Sequence, residues 1–397
     1  MDEMEFPTPD VAIESIDPGE LKTRIDDGER VVILDVRSEG NYGEWRIEGE
    51  TVESYNVPYF EFITEEFDPA LLEGVPDDEE VVVLCAKGEA SAYVGGLMAE
   101  HGFDVIHLSG GMNDWARIYE RDEITRYEGA GAVYQYRRPS SGCLGYLVVD
   151  GDEAAVIDPL RAFVDRYLED AAALGAELEY AIDTHVHADH ISGVRDLVRE
   201  GVEGVVPAPA AERGVTYTDE VTLASDGDRF PVGGATVEVL HTPGHTTGMT
   251  SYLVDDSAHL TGDGLFVESV ARPDLEKGDD GAPDAARQLY RTMQDRILPL
   301  EEVVVVGGGH YSDAAEPAAD GTYTATIGDL KAEMGVLSMD EDDFVDRILA
   351  DMPPRPANFE AIIATNLGRR ETGDEEAFEL ELGPNNCAAS QDALTSD

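Results

Sequence analysis

Residues 184–190 read Thr184-His185-Val186-His187-Ala188-Asp189-His190. They follow a β-rich run that ends near Asp183 and precede a predicted helix that starts near Ser192. Imidazole and carboxylate at this density are what a zinc or iron site requires. The bland alternative is a set of satisfied surface histidines. Three further segments argue against it, each at the end of an apolar run. Val237–Leu240 leads into His241-Thr242-Pro243-Gly244-His245-Thr246. His259-Leu260-Thr261-Gly262-Asp263 offers a carboxylate, and Val303–Val306 leads into Gly307-Gly308-Gly309-His310. Taken singly, each of these histidines could be structural. Together they are the expected remainder of one site, and the adjacent glycines allow tight turns and close approach.

The strings THVHADH, TPGHT, TGD and GGGH, in this order, resemble the metallo-β-lactamase fold over about residues 130–370. The resemblance implies an αββα sandwich, two β-sheets between helices, with metals at one edge. Carried over position by position, His185, His187 and His245 would bind one metal. Asp189, His190 and His310 would bind a second, and Asp263 could bridge. His241 and His259 match no ligand position and are read as structural.

These residues permit two chemistries. All seven ligands together make a dinuclear zinc-type hydrolase, in which bound hydroxide attacks an ester or thioester. The subset His185, His245 and Asp263 is the two-His, one-carboxylate triad of non-haem Fe(II) oxygenases. Ligand identity leaves both open. The flanking string from Thr261 through Gly264-Leu265-Phe266 to Ala271-Arg272-Pro273-Asp274 resembles the persulfide dioxygenase branch, with Ala271 in place of the usual glycine. So does the ending Met352-Pro353-Pro354-Arg355-Pro356 … Asn366-Leu367-Gly368. The resemblance implies one Fe(II) per chain on His185, His245 and Asp263. His187, Asp189, His190 and His310 then hold waters and orient the pocket. Arg272 and Asp274 are expected behind the metal ligands or on the substrate side, with a structural ion pair as the alternative, and Tyr311 is expected to face substrate. The implied reaction takes a thiol persulfide and O2 to free thiol and sulfite. The other reading is a two-zinc thioester hydrolase similar to hydroxyacylglutathione hydrolases, with an accessory or non-catalytic N-terminal module.

That N-terminal region alternates strands with helices, which implies a parallel α/β sheet. Asp17 suits an N-cap, Pro18 the first helical position and Glu20 a capping box, with Gly28 ending the helix. Val31–Leu34 and Val81–Leu84 read as buried strands, and the loop Cys85-Ala86-Lys87-Gly88-Glu89-Ala90-Ser91 leads straight into a helix. The positive end of that helix and nearby Lys87 favour a negatively charged sulfur. Consecutive loop N–H groups can form an anion-binding concavity. Asp35-Val36-Arg37, the Cys85 loop and Ser109-Gly110-Gly111-Met112-Asn113-Asp114-Trp115 resemble a single rhodanese domain. Cys85 takes the persulfide-carrying position, with Lys87 and Ser91 expected beside the bound sulfur species. Two departures stand out. Glu89 intrudes where such loops often carry arginine, and the usual Gly-His-Ile-x-Gly-Ala string is eroded to Arg46–Thr51. Cys143, at the start of an apolar strand, reads as core, and Cys387 lies in the polar tail.

The expected organisation is thus α/β throughout: a rhodanese-like parallel domain over 10–122, a metallo-β-lactamase-fold domain over 128–372, and an acidic mobile tail over 373–397. Residues 120–128 read as a charged connector. A formal charge of −58 repels phosphate backbones and anionic headgroups, so nucleic acid and membrane are not expected partners. It points to a protein adapted to high salt, where self-repulsion is screened. Three widely spaced cysteines make no disulfide framework, and Met1–Asp10 has no signal-peptide pattern, so a cytoplasmic location is expected. The expected partners are a small thiol persulfide and O2. A homodimer is compatible with the sequence.

Overall fold

The structure, a computed structural model, describes residues 11–63, 68–312, 314–350, 352–383 and 388 of the 397-residue chain. The expectations for Met1–Asp10, for Cys387 and for most of the chain beyond 383 lie outside these residues. Two compact units separate, the first running to Ile118 and the second from Tyr119 to Glu381.

In the first unit, β1 (Glu14–Ile16), β2 (Val31–Asp35), β3 (Val52–Asn56), β4 (Val81–Leu84) and β5 (Val105–Leu108) form an all-parallel sheet in the order β1-β5-β4-β2-β3. Every residue of β2 and β4 is buried, as their unbroken apolar runs require in a sheet covered on both faces. Helices α1 (Pro18–Asp26), α2 (Glu39–Glu44), α3 (Glu89–Glu100) and α4 (Gly111–Trp115) connect them. Asp17 does cap α1, its Oδ1 accepting from Gly19 N at 2.8 Å. The capping box does not form. Glu20 instead pairs with Arg24 one turn on, at 3.0 Å, because the i,i+4 partner lies on the same exposed face.

The second unit is a sandwich. Strands β6 (Glu120–Glu123), β7 (Ala132–Arg138), β8 (Cys143–Asp150), β9 (Glu153–Ile157), β10 (Glu177–Ile182), β11 (Glu203–Pro207) and β12 (Thr222–Ala224) build a seven-stranded sheet in chain order. Strands β13 (Arg229–Val232), β14 (Ala235–His241), β15 (Thr250–Val254), β16 (Ala258–Gly262), β17 (Val305–Gly308) and β18 (Thr324–Thr326) build a six-stranded sheet, also in chain order. The inner faces share one core, in which Tyr146, Val148 and Ile157 pack with Val237, Tyr252 and Leu260. On the outer face of the first sheet lie α5 (Val164–Ala173), α6 (Val194–Arg199) and α7 (Ala208–Arg213), and on that of the second α8 (Gly278–Thr292), α9 (Ile327–Glu333) and α10 (Glu341–Ala350). The result is the expected αββα arrangement. Among the described residues no helix is long and apolar enough to cross a membrane.

Two boundaries differ from the expectation. The charged connector begins as strand β6, whose Glu120 pairs with Arg137 of β7 at 2.7 Å. An edge strand can be wholly charged, so it shows no apolar alternation. The tail does not begin at 373 either. After α11 (Phe359–Asn366), residues Asp374–Leu380 form α12, which buries Ala377 and Phe378. Glu381 follows, buried against Arg138 at 2.9 Å, and its other oxygen accepts from Ile191 N at 2.7 Å. The acidic composition masked two apolar anchors and one buried ion pair. Glu381→Ala strips the buried Arg138 guanidinium of its carboxylate and is expected to cost about 3–5 kcal/mol, readable by chemical denaturation.

His259, on β16, is structural as read. It is fully buried, with Nε2 2.7 Å from Ser251 Oγ, and burial pushes its pKa down to about 3. Between pH 6.5 and 3 the unfolded chain therefore binds the extra proton and the folded chain does not. Stability should fall on acidification through this window by roughly 1.4 kcal/mol per pH unit from this group. Denaturation midpoints of His259→Gln should show a correspondingly shallower slope.

Candidate metal centre

The expected ligands come together at one edge of the sandwich, each just beyond the carboxyl end of a strand. His185–His190 follow β10, His245 follows β14, Asp263 follows β16 and His310 follows β17. The loop after β10 is tied at both ends. Thr184 donates from N and Oγ1 to the Asp158 carboxylate at 2.7 and 2.8 Å, and Ser192 Oγ donates to Asp183 at 2.7 Å. Asn366, at the end of α11, clasps the middle: Nδ2 donates to the carbonyls of His187 and His190 at 3.0 and 2.8 Å, and Oδ1 accepts from Ser192 N.

His185, His245 and Asp263 form one group. Asp263 Oδ2 lies 3.6 Å from His185 Nε2 and 3.5 Å from His245 Nε2, too far for hydrogen bonds. All three atoms are buried and without hydrogen-bond partners. Three buried atoms left without hydrogen-bond partners and facing one point fit a cation. Both imidazoles are oriented from behind: His185 Nδ1 contacts Thr184 Oγ1, and His245 Nδ1 donates to Arg272 O at 2.9 Å. Burial keeps both neutral by lowering their pKa, well below the ordinary range for His185. Burial opposes charge on Asp263, yet His310 and His185 hold its carboxyl well below the usual range. Neutral imidazoles with an ionised carboxylate are the protonation states a metal needs. Gly309 is required here, since a Cβ on it would sit 2.4 Å from Asp263 Oδ1.

The remaining candidates divide. His187 Nε2 turns to Asp158 Oδ1 at 3.1 Å, with Asp183 near, which leaves its Nδ1 unpartnered. Asp189 Oδ2 stands between His190 Nδ1 and His310 Nε2, at 2.9 and 3.0 Å. Burial resists charge on these two imidazoles, but the facing carboxylates lift both well above the ordinary histidine range. Cys143, read as core, joins this second group with Sγ 3.3 Å from Asp189 Oδ2. Asp158, Asp183 and Cys143 carried no sequence signal, because each is an ordinary strand-end residue until the sheets assemble.

Of the places expected for Arg272 and Asp274, the structure gives the one behind the ligands rather than the substrate side. Both are buried, and the guanidinium binds Asp274 at 2.8 and 3.1 Å and Pro354 O at 2.8 Å. Arg355 adds a second cation to Asp274 at 2.9 Å. A buried guanidinium must be paired, and this one anchors the loop whose carbonyl aims His245. Tyr311 is half-buried, its ring stacked on Tyr323 at 3.7 Å. A cavity of about 330 Å3 reaches His245 between the 243–247 loop and α8, with Thr246, Thr247 and Lys277 on its wall.

In the first unit Cys85 sits at the end of β4, where Gly88 N donates to its Sγ at 3.0 Å. Backbone bonds from Met112 N to Cys85 O and from Asn113 N to Ala86 O tie the loop to α4. Asp35 and Arg37 form a buried pair at 2.6 Å. Lys87, two residues on in the same loop, is exposed. Ser91 does not face it: its hydroxyl is buried and donates to Gly88 O at 2.9 Å, closing the first turn of α3.

The sequence matches the metallo-beta-lactamase superfamily over residues 140–310 and the rhodanese-like domain over 17–118. Fold and site together define a metalloenzyme of the metallo-β-lactamase superfamily with an N-terminal rhodanese-like domain. The persulfide dioxygenase ETHE1 of Bos taurus is 30% identical over 186 residues, 45% of this chain and 68% of that protein. The crystal structure of ETHE1 from Myxococcus xanthus matches with a TM-score of 0.51 at 28% identity, covering 59% of this chain and 98% of that one. A hydroxyacylglutathione hydrolase of Synechococcus is 35% identical over 168 residues, 40% of this chain and 61% of that protein. The chain belongs to the family of the ETHE1 persulfide dioxygenases.

Proposed function

We propose that this enzyme oxidises a low-molecular-weight thiol persulfide, and that its first unit carries sulfane sulfur as a persulfide on Cys85. One persulfide, one O2 and one water give one thiol and one sulfite. The observation that carries this reading is the convergence of His185 Nε2, His245 Nε2 and Asp263 Oδ2, two imidazole nitrogens and one carboxylate oxygen that find no hydrogen-bond partner. These residues would hold one Fe(II), which supplies the one-electron steps and the adjacent open positions that persulfide and O2 need. The chain's own contributions surround it. Arg272 O and Thr184 fix the two imidazole planes. The buried His310–Asp189–His190 cluster offers hydrogen bonds and protons beside Asp263, where sulfite oxygens develop negative charge. The cavity at His245 has room for the thiol carrier. On the first unit, the Gly88 N–H and the exposed Lys87 stabilise a charged terminal sulfur on Cys85.

The second donor group, with the similarity to a hydroxyacylglutathione hydrolase, favours one competing reading, a two-zinc thioester hydrolase. Protein purified anaerobically in high salt separates the two. One iron per chain and O2 loss matching the persulfide added are expected. Two zincs, thioester cleavage and no O2 uptake would overturn the proposal.

A further inference from the structure

Acids outnumber bases 85 to 27 in this chain, so an arginine without a carboxylate needs a reason. Four arginines of the second unit line one small cavity beside Ser192, at the end of the ligand loop. Arg161 stands just after β9, Arg195 and Arg199 on α6, and Arg370 just after α11. Three of them are paired. Arg161 and Arg199 share Asp196, at 3.3 and 2.5 Å, while Arg161 also reaches Asp374 and Arg370 reaches Glu376, each at 2.7 Å. Asp374 and Glu376 stand outside the lining, which sets the four guanidinium groups against two carboxylates, Asp196 and Glu371. Arg195 is different: among the described residues it forms no ion pair. Its guanidinium lies over the Tyr217 ring, 4.9 Å from the centroid, and its Nε is buried with no hydrogen-bond partner. Arg161 Nε is also buried without a hydrogen bond. Stacking on a ring face leaves the in-plane N–H groups of a guanidinium free, and a buried N–H without an acceptor costs free energy.

We infer that this cavity binds one small oxyanion of the sulfite, sulfate or phosphate kind, with Arg195 as its principal partner. Charge selects the sign, because the lining carries two more guanidinium groups than carboxylates. Geometry selects the type, because the oxygens of such an ion accept the paired N–H groups that a guanidinium presents. Size sets the limit. A cavity of about 30 Å3 has room for roughly two waters, so an ion of a few atoms fits and a nucleotide does not. Ser192 and Asn366 line the same cavity, and they are the residues whose hydrogen bonds clasp the ligand loop. An ion held here braces that clasp from behind. Sulfite has one source in the reaction proposed above and in that respect rests on that reading, whereas free phosphate has the same chemistry and does not.

The test titrates the metal-loaded full chain with sulfite and with phosphate, without oxygen and at ionic strength fixed by potassium chloride. Calorimetry should find a site whose affinity falls about tenfold or more in Arg195→Gln, the loss of one charge-assisted contact. Binding at this site should persist in His185→Ala and in Cys85→Ser, which separates it from the metal centre and from the Cys85 loop. Circular dichroism confirms that each variant is folded. At ten times its Kd the ion should raise the melting midpoint of a unit of this size by about 3–6 °C, beyond any effect of chloride. Selenate, an oxyanion of the same kind, needs no variant: soaked crystals should show its anomalous signal in the cavity at Arg195. Tighter binding of sulfite marks the reaction product as the ligand, tighter binding of phosphate marks the free ion, and either supports the site. Titrations unchanged by Arg195→Gln, or a cavity holding only ordered water after the selenate soak, overturn the inference. The phosphate and selenate results do not depend on persulfide chemistry, so failure here is separable from failure of the iron-centred reaction.

Discussion

His245→Ala abolishes iron retention and persulfide-dependent O2 uptake together. His245 Nε2 is one of three orphaned donors, and its ring plane is set by Nδ1 donating to Arg272 O. Alanine removes the donor and leaves a hole that water fills without geometric preference. Losing a merely supporting partner costs a metal site roughly 10–100-fold, so losing one of three protein ligands should exceed that for metal affinity. Activity should fall at least as far, because the reaction has no second redox centre. Asp263→Ala should behave alike, with one difference. It also strips His310 of a carboxylate at 2.7 Å, so its proton-linked behaviour changes as well. Metal analysis of the purified variants, with oxygen-electrode traces on a defined thiol persulfide, checks both. A His245→Ala protein that keeps one iron and full O2 uptake would remove the triad from the chemistry.

The second large effect concerns sulfur transfer. Cys85→Ser should reduce transfer from a sulfane donor to a thiol or cyanide acceptor to the blank rate, a loss on the order of 10³-fold or more. A serine hydroxyl cannot hold sulfane sulfur, and no other described cysteine lies in the first unit. Lys87→Ala should cost far less, since an exposed charge acts through a high effective dielectric. Raising salt should shrink the Lys87 effect and leave the Cys85 effect intact. Unchanged sulfur transfer in Cys85→Ser would reduce the first unit to a docking or sensing module.

Much of the metal centre was readable because its ligands lie in loops that carry little else. His185–His190 share a single loop, and the glycines beside Asp263 and His310 announce close backbone approach. What escaped reading was everything contributed by ordinary residues from distant strands. Asp158 and Cys143 look like strand-end core until β8 and β9 are set beside β10 and β17. Asn366 lies 176 residues beyond His190, yet it hydrogen-bonds the carbonyl of that residue. The Arg272–Asp274 string was visible, but a sequence motif does not show which way a guanidinium points. Burial decided it, because a buried charge goes to its nearest carboxylate.

The sequence by itself determined the two fold classes, the set of metal-ligand candidates and the persulfide-type cysteine. These rest on local pattern: apolar runs that must be buried, and polar residues concentrated where strands end. Only the tertiary structure decided how the candidates group. It brought one unpartnered atom each of His185, His245 and Asp263 to face one point, gave His187 to Asp158, and brought Cys143 to Asp189, His190 and His310. It also turned part of an acidic tail into a helix that clamps the ligand loop through Glu381. The reason is that pairing among buried polar groups is settled by which atoms meet at about 3 Å once the sheets have packed, and spacing along the chain carries no record of that distance.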